Sequence, residues 1–402
     1  MSQSGSSRIQ SAPRPPSAKR VVVATTSAST AGTIPVFLLG ATAPFVRAEL
    51  DLSQAQLGIT VSCFWLTMAL GGIAGGRLSQ RLGATRATRI GVGASMCAMA
   101  GAALAPHWLV LAACMALAGV ANSLTQPAVD LALFAGVSRK RLSMAFGIKQ
   151  TALPGAALVS GLVVPLLAGS VGWRPAFLVG IVVGIPAMVL MPHLVYRHVD
   201  SSGRASDAHQ RLTGIAGFAI AFAIAMMAVS ATGAFYVESA VSHGISPEVA
   251  GLFLAAGSAC GIVGRFVFAW KLGVIQRPLV AAGAIMIVGG CGVLCFAFLT
   301  AGWPLVIVTM IALGAGWGWN GLLTFAVVTI FPEAPARASG YIVLGSATGG
   351  VVGPTAFGLI VQGWGFSVGW TVASCCFVVA ATILLLAPRW RPVAGAQASS
   401  VG

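Results

Sequence analysis

Gly76-Arg77-Leu78-Ser79-Gln80-Arg81-Leu82-Gly83 is a short basic turn set between two apolar runs. A second such turn, Trp270-Lys271-Leu272-Gly273, closes a later apolar run. An offset of 190 residues lays Arg81-Leu82-Gly83 on Lys271-Leu272-Gly273. Val171-Gly172-Trp173 and Val368-Gly369-Trp370 form another echo in the same order. Short matches in matching order suggest a duplicated unit, and basic turns between apolar runs suggest repeated membrane crossing.

Composition agrees. Of 402 residues, 57% are hydrophobic and only 8% charged, where a soluble domain carries roughly a quarter charged residues. Mean hydropathy is +0.92. A soluble fold this apolar would have little surface to show water. Twelve helices of roughly twenty residues need about 240 residues, which the length accommodates. The net charge of +15 would point to nucleic acid in a soluble chain. Here the basic residues sit in short loops, with no zinc-finger, RNA-binding or dinucleotide motif, so they read as topology signals. The eight cysteines all fall in apolar segments without metal-ligand spacing, and read as small buried apolar side chains.

The apolar pattern predicts spans at about 21–45, 56–75, 90–105, 108–134, 142–168, 176–195, 212–236, 249–270, 278–299, 304–330, 340–361 and 367–387. Residues 1–20, rich in Ser, Pro and Arg, read as a disordered cytoplasmic N-terminus. The first run is too long for a signal-peptide core and is followed at once by more spans. Loop charge alternates. One side holds Arg77, Arg81, Arg86 and Arg89, then Arg139, Lys140 and Arg141, then Arg197, Arg204 and Arg211. The other side holds only Arg47 and Arg174. The positive-inside rule then places both termini in the cytoplasm, in a multi-pass cytoplasmic membrane protein. The polar segment 196–211 divides the chain into six-helix halves at 21–195 and 212–387, followed by a cytoplasmic tail at 388–402. The expected class is an all-α polytopic fold of twelve helices in two pseudo-symmetric halves.

At this point the sequence resembles the major facilitator superfamily. That family's turn after span 2 is Gly-x-x-x-Asp-Arg-x-Gly-Arg-Arg, matched here by Gly76, Gln80, Arg81, Gly83 and Arg86, with Gln80 in the acidic position. The resemblance implies a gating role for Gln80 and Arg81. Pro154, Gly155, Gly161 and Pro165 in span 5, and Gly172-Trp173-Arg174-Pro175-Ala176-Phe177 before span 6, also look typical. Two stretches resemble the cyanate-transporter-like branch: Gly147-Ile148-Lys149-Gln150 leading to Pro154-Gly155, and Gly314-Ala315-Gly316-Trp317-Gly318-Trp319-Asn320-Gly321. That branch is associated with small, often anionic solutes.

Charges within hydrocarbon are costly unless paired or set in an aqueous cavity, so they mark candidate sites. Lys149 in span 5 could attract an anionic solute. It could equally pair with Asp130, which lies at similar depth on the antiparallel neighbouring span. Gln150 beside it is a second candidate. Arg265, six residues from the cytoplasmic end of span 8, could hold an anion bidentately or snorkel to the interface. Glu238 is placed just beyond span 7. A proton-coupling role requires its burial, whereas a plain loop carboxylate does not. Asn122 and Gln126, one turn apart on span 4, and Trp317, Trp319 and Asn320 on span 10 could line a cavity or serve as helix glue and core filling. Thr33, near Pro35, offers a polar, kinkable point in span 1. The glycines around Trp317 permit a bend.

The reading that follows is a secondary transporter working by alternating access on a small anionic solute. A proton gradient or solute exchange would drive it. The chain would act as a monomer in the bilayer, with no cofactor, metal or nucleic acid. The alternative is a multidrug or antibiotic exporter of the same fold. A membrane-embedded enzyme is the alternative of another class. It would need His, Cys or carboxylates clustered at one depth, whereas the five histidines lie in or near loops on different sides.

Overall fold

The structure, a computed structural model, describes residues 17–192, 194, 215–271, 277–299, 302–331 and 335–386. The expected linker at 196–211 and tail at 388–402 lie outside the described residues. Everything described is helix joined by short turns. The N-terminal half comprises α1 (Ala18–Ala41), α2 (Ala43–Leu50), α3 (Gln54–Leu82), α4 (Ala84–Ala103), α5 (Trp108–Gly136), α6 (Arg139–Gln150), α7 (Ala152–Val163) and α8 (Trp173–Leu190). The C-terminal half comprises α9 (Ile215–Ser242), α10 (Pro247–Lys271), α11 (Pro278–Cys295), α12 (Trp303–Gly316), α13 (Trp319–Ile330), α14 (Pro335–Trp364) and α15 (Phe366–Leu386). α6 and α7, with a widened turn at Val164–Ala168, form one span, and α12 with α13 forms another.

Eleven of the resulting helices are long and apolar enough to cross a bilayer. The twelfth, α4, has 20 residues; at 1.5 Å per residue that is also about a bilayer's hydrocarbon thickness. Arg86 and Arg89 near its start dilute its hydropathy. Large apolar side chains such as Leu104, Val182, Val189 and Ile307 are exposed on the outside of the bundle, where lipid rather than water would cover them. Cys97, Cys291 and Cys375 are exposed too, which corrects the expectation that all eight cysteines are buried.

Local chemistry sets the helix ends. Ser53 and Gln56 form a reciprocal capping box at the start of α3. Gly83, at φ 77°, turns α3 directly into α4, a conformation that a side chain would strain. Within the helices, hydroxyls such as Thr25, Thr88 and Thr232 donate to their own helix's carbonyls, so few polar groups face lipid unpaired.

Several boundaries differ from the expected ones: residues 76–82, read as a turn, continue α3 to Leu82, α4 begins at Ala84 rather than near 90, and Ala18 already opens α1 within the stretch expected to be disordered. The first apolar run ends at Ala41, and Pro44 opens the short separate helix α2. The seventh span continues to Ser242, so Glu238 lies inside a helix rather than in a loop.

The halves meet along three helix pairs: α1 with α9, α3 with α14, and α7 with α10. Small residues let the backbones touch. A side chain at Gly40 would collide with the Gly233 carbonyl, one at Gly58 with that of Pro354, and one at Gly161 with that of Gly251. Positions 40 and 233, 58 and 251, and 161 and 354 each differ by 193. One offset therefore carries every contact onto its partner, as a two-fold relation requires. All three contacts lie in the half of the bundle remote from the chain ends, called here the far face. Toward the opposite, termini face, Gly72 and Gly76 on α3 and Gly340 on α14 meet nothing within 4 Å. The seam is closed at the far face and opens toward the termini face.

Candidate solute site

The seam organises the polar groups. Asn122, Gln126 and Asp130 recur every four residues and share one face of α5. Asn122 is buried against Gly32 of α1 and donates to Met68 Sδ of α3 at 3.1 Å. Gln126 Nε2 donates to Asn122 Oδ1 at 3.1 Å. This face thus looks toward the helices that meet the other half. Its openness grows toward the termini face, where the Asp130 side chain is 39% exposed.

Lys149 Nζ donates to Asp130 Oδ1 at 2.9 Å, and the lysine side chain is only 11% exposed. The geometry is that of the structural pair. Gln150 ends α6 and is exposed. Pro154 lacks the N–H that would bond the Gln150 carbonyl, and the span breaks at Thr151. α7 and α10 run antiparallel, with Gly161 against Gly251 and Ala255, and Pro154 against Gly261. Extending that register by one turn sets Gln150 level with Arg265, and α6 does contact α10.

Arg265 does not snorkel. Side chains on a helix lean toward its N-terminus, and α10 begins at the far face. The guanidinium accordingly points inward, where Nη2 donates to the Trp317 carbonyl at 2.8 Å. Trp317 closes α12 just before the break into α13, so the cation meets the negative end of a half-helix. Arg265 Nη1 is sealed and has no partner among the described residues, nor has the Trp317 indole N–H. The Trp317 ring sits 5.5 Å from that of Phe37 on α1, which joins the halves just below the Gly40–Gly233 contact. Trp317 thus links the Arg265 guanidinium, through its carbonyl, to the Phe37 ring of the opposite half, and it carries one of the two unsatisfied donors.

Other expected residues lie elsewhere or are spoken for. Trp319 is buried, bonds the Gly316 carbonyl at 2.6 Å and packs edge-on against Phe222; it fills the core. Asn320 is half-buried on the first turn of α13. The Thr33 hydroxyl donates to the Ser29 carbonyl at 3.0 Å, within its own helix. Gln80 and Arg81 stand exposed on the last turn of α3, without a hydrogen bond among the described residues.

Glu238 corrects its expected place as a plain loop carboxylate. It is 7% exposed, ion-paired with Arg47 of α2 and hydrogen-bonded by Gln54 Nε2 at 3.2 Å. Both donors come from the other half, so this is a clasp across the far face. α2 itself is pinned to its own half: Glu49 accepts from Trp173 Nε1 at 2.6 Å and Arg174 Nη2 at 2.7 Å. Sequence reasoning missed Phe37, Arg47 and Trp65, whose unpartnered indole N–H lies buried beside Gly350. Only the repeat offset hinted at the clasp: Arg47 and Glu238 are 191 apart, close to the 193 that relates the halves.

Comparison with known proteins agrees with this architecture. A gentisate transporter of Corynebacterium glutamicum is 28% identical over 352 residues, covering 80% of this chain and 76% of that protein. An uncharacterised MFS-type transporter of Mycobacterium tuberculosis is 28% identical over 152 residues, covering 38% of this chain and 26% of the relative. Among solved structures, an inward-facing, occupied bacterial homologue of the human lysosomal transporter Spinster superposes with a TM-score of 0.73 at 16% identity, covering 93% of this chain and 97% of that one. Its inward-facing, unoccupied counterpart gives 0.66, also at 16% identity, over 93% and 96%. At that identity the likeness speaks for the fold. The sequence model of the Major Facilitator Superfamily matches residues 23–354, most of the chain. With twelve helices in two related halves around a polar seam, the chain is a membrane transport protein of the major facilitator superfamily.

Proposed function

We propose that this chain moves a small organic anion across the cytoplasmic membrane by alternating access, with an aromatic monocarboxylate as the best-supported class. The observation that carries the reading is Arg265 Nη1, a buried cationic donor without a partner among the described residues. A buried charged donor without a partner costs stability, and a carboxylate is the group that a guanidinium matches best. The Trp317 indole N–H supplies a second donor, and the Trp317 and Phe37 rings, tilted 58° to one another, supply apolar aromatic surface. The similarity to a gentisate transporter supports the same class. So does the resemblance of 147–150 and 314–321 to the cyanate-transporter-like branch, which is associated with small, often anionic solutes.

In this reading Gln150, level with Arg265, and Asn320 border the solute. Gln126 and Asn122 continue the polar wall, and Thr33 lies behind it. The Glu238–Arg47 clasp holds the far face shut and must part for the far face to open. Gln80 and Arg81 gate the termini face. Loop charge puts the termini face in the cytoplasm, so the conformation described is open to the cytoplasm. Both walls of the crevice come from one chain, which fits a monomer. A gradient of protons or of an exchanged solute supplies the energy.

The test is a thermal-shift series on purified protein with benzoate, gentisate, cyanate, nitrate and cationic drugs. Stabilisation by the aromatic acids and not by the drugs is the expected result. Stabilisation by the drugs alone would instead favour a multidrug exporter.

A further inference from the structure

The charge balance of the seam carries an inference about which anions are accepted; it rests on the anion reading above. Besides the Glu238–Arg47 clasp at the far face and Arg77 near the exposed end of α3, the spans flanking the seam carry three charged side chains more than a helical turn inside their ends among the described residues: Asp130, Lys149 and Arg265. Lys149 spends its charge on Asp130 at 2.9 Å. Among the described residues Arg265 meets only a backbone carbonyl, and its Nη1 has no partner. The three together leave one net positive charge.

We propose that Asp130 is a specificity-determining residue. By neutralising Lys149 it tunes the crevice to monoanions and turns away dianions. Two features argue that it acts on the crevice rather than only within the helix bundle. The Asp130 side chain is 39% exposed while its partner is 11% exposed, so the carboxylate is the member of the pair that a solute meets on entering. Asp130 also ends the stripe from Asn122 and Gln126, on the face of α5 that looks toward the seam. A dianion would have to place its second carboxylate near this group, and in a weakly screened crevice like charges repel strongly. A monoanion needs only Arg265.

Binding of benzoate and of terephthalate, one and two negative charges at pH 7.5, is measured by calorimetry on the purified full chain. Wild type is expected to prefer benzoate by at least tenfold. Asp130→Asn releases Lys149 and is expected to shrink that preference by tenfold or more, mainly through tighter terephthalate binding. The double variant Asp130→Asn with Lys149→Gln restores the net charge and is expected to restore the preference for benzoate. A merely structural pair would give no such reversal. Should Asp130→Asn fail to fold, Gln126→Lys adds the second positive charge without breaking the pair and is expected to move selectivity the same way. An unchanged ratio in whichever single variant folds, or a double variant that stays tolerant of terephthalate, overturns the proposal while leaving the anion site standing. Failure of wild type to bind either acid would remove the anion site itself.

Discussion

Arg265 is stabilised by one hydrogen bond to the Trp317 carbonyl, while its Nη1 has none. Buried, incompletely paired charges tend to cost stability, and apolar replacements of similar volume are often neutral or better. Arg265→Met is therefore expected to unfold no more readily than wild type without solute, yet to bind the anion at least tenfold more weakly. Denaturation and binding measured on the same preparation check both halves. A loss of about 2 kcal/mol or more of stability would instead mark Arg265 as structural. Glu238 differs in having an ionic partner: Arg47 and Gln54 both donate to its Oε1, while its Oε2 is buried without a partner among the described residues. Glu238→Gln keeps a group for Gln54 but removes the ionic bond, worth about 1.5–3 kcal/mol for a hydrogen bond to a charged group. The far face is expected to open more often, seen as faster labelling of a cysteine placed at Ala55, which lies against Gly358 across the seam. Unchanged labelling would show that the clasp does not hold the halves. These residues differ in how far the sequence revealed them. Arg265 and the Lys149–Asp130 pair were legible because a charge in hydrocarbon demands an explanation, and depth counting supplies its neighbour. The Arg47–Glu238 clasp was not, since both residues read as loop charges and their pairing depends on how the halves dock.

At the scale of elements, the breaks in two spans matter most. The span formed by α6 and α7 breaks at Thr151, where Pro154 frees the Gln150 carbonyl. The span formed by α12 and α13 breaks at Trp317, whose carbonyl holds Arg265. Breaks at mid-depth free backbone groups that a continuous helix would use internally, and they are tolerated where the backbone borders a cavity. Pro154→Ala would restore the missing bond and straighten the first of these spans. Transport is expected to fall severalfold while stability rises by up to about 1 kcal/mol; equal transport in the straightened variant would show that the break is incidental. The run of Gly and Trp at 314–321 announced the second break in the sequence. The end of α1 was not announced. Ala43, Pro44, Phe45 and Val46 keep the first run apolar, and hydropathy does not register that Pro44 starts a new helix. The same blindness shortened α9, whose last turns carry Glu238, Ser239 and Ser242.

At the scale of the whole molecule, the closed far face depends on backbone contacts at Gly40, Gly58, Gly161, Gly233 and Gly251. Gly58→Leu places a side chain against the Pro354 backbone and is expected to push the halves apart at the far face. Labelling from that side should rise and transport fall by tenfold or more; unchanged labelling would show that the contact is slack. The division into two halves was legible from loop charge and from short echoes. Those echoes gave offsets of 190 and 197, whereas the seam contacts share 193. Turn lengths drift between repeats, while positions in backbone contact across the seam cannot. The seam itself was hidden because a glycine that touches the other half looks, in sequence, like one that packs within its own.

A solute site at the seam with Arg265 as its anion-binding group can be tested by uptake of labelled benzoate into proteoliposomes holding wild type or Arg265→Lys. Lysine keeps the charge but loses the planar fork of donors. Wild type is expected to show saturable uptake, and Arg265→Lys a rate at least tenfold lower at equal protein and equal stability. Equal uptake by the two proteins, or none by wild type for benzoate or any related carboxylate, would contradict that assignment.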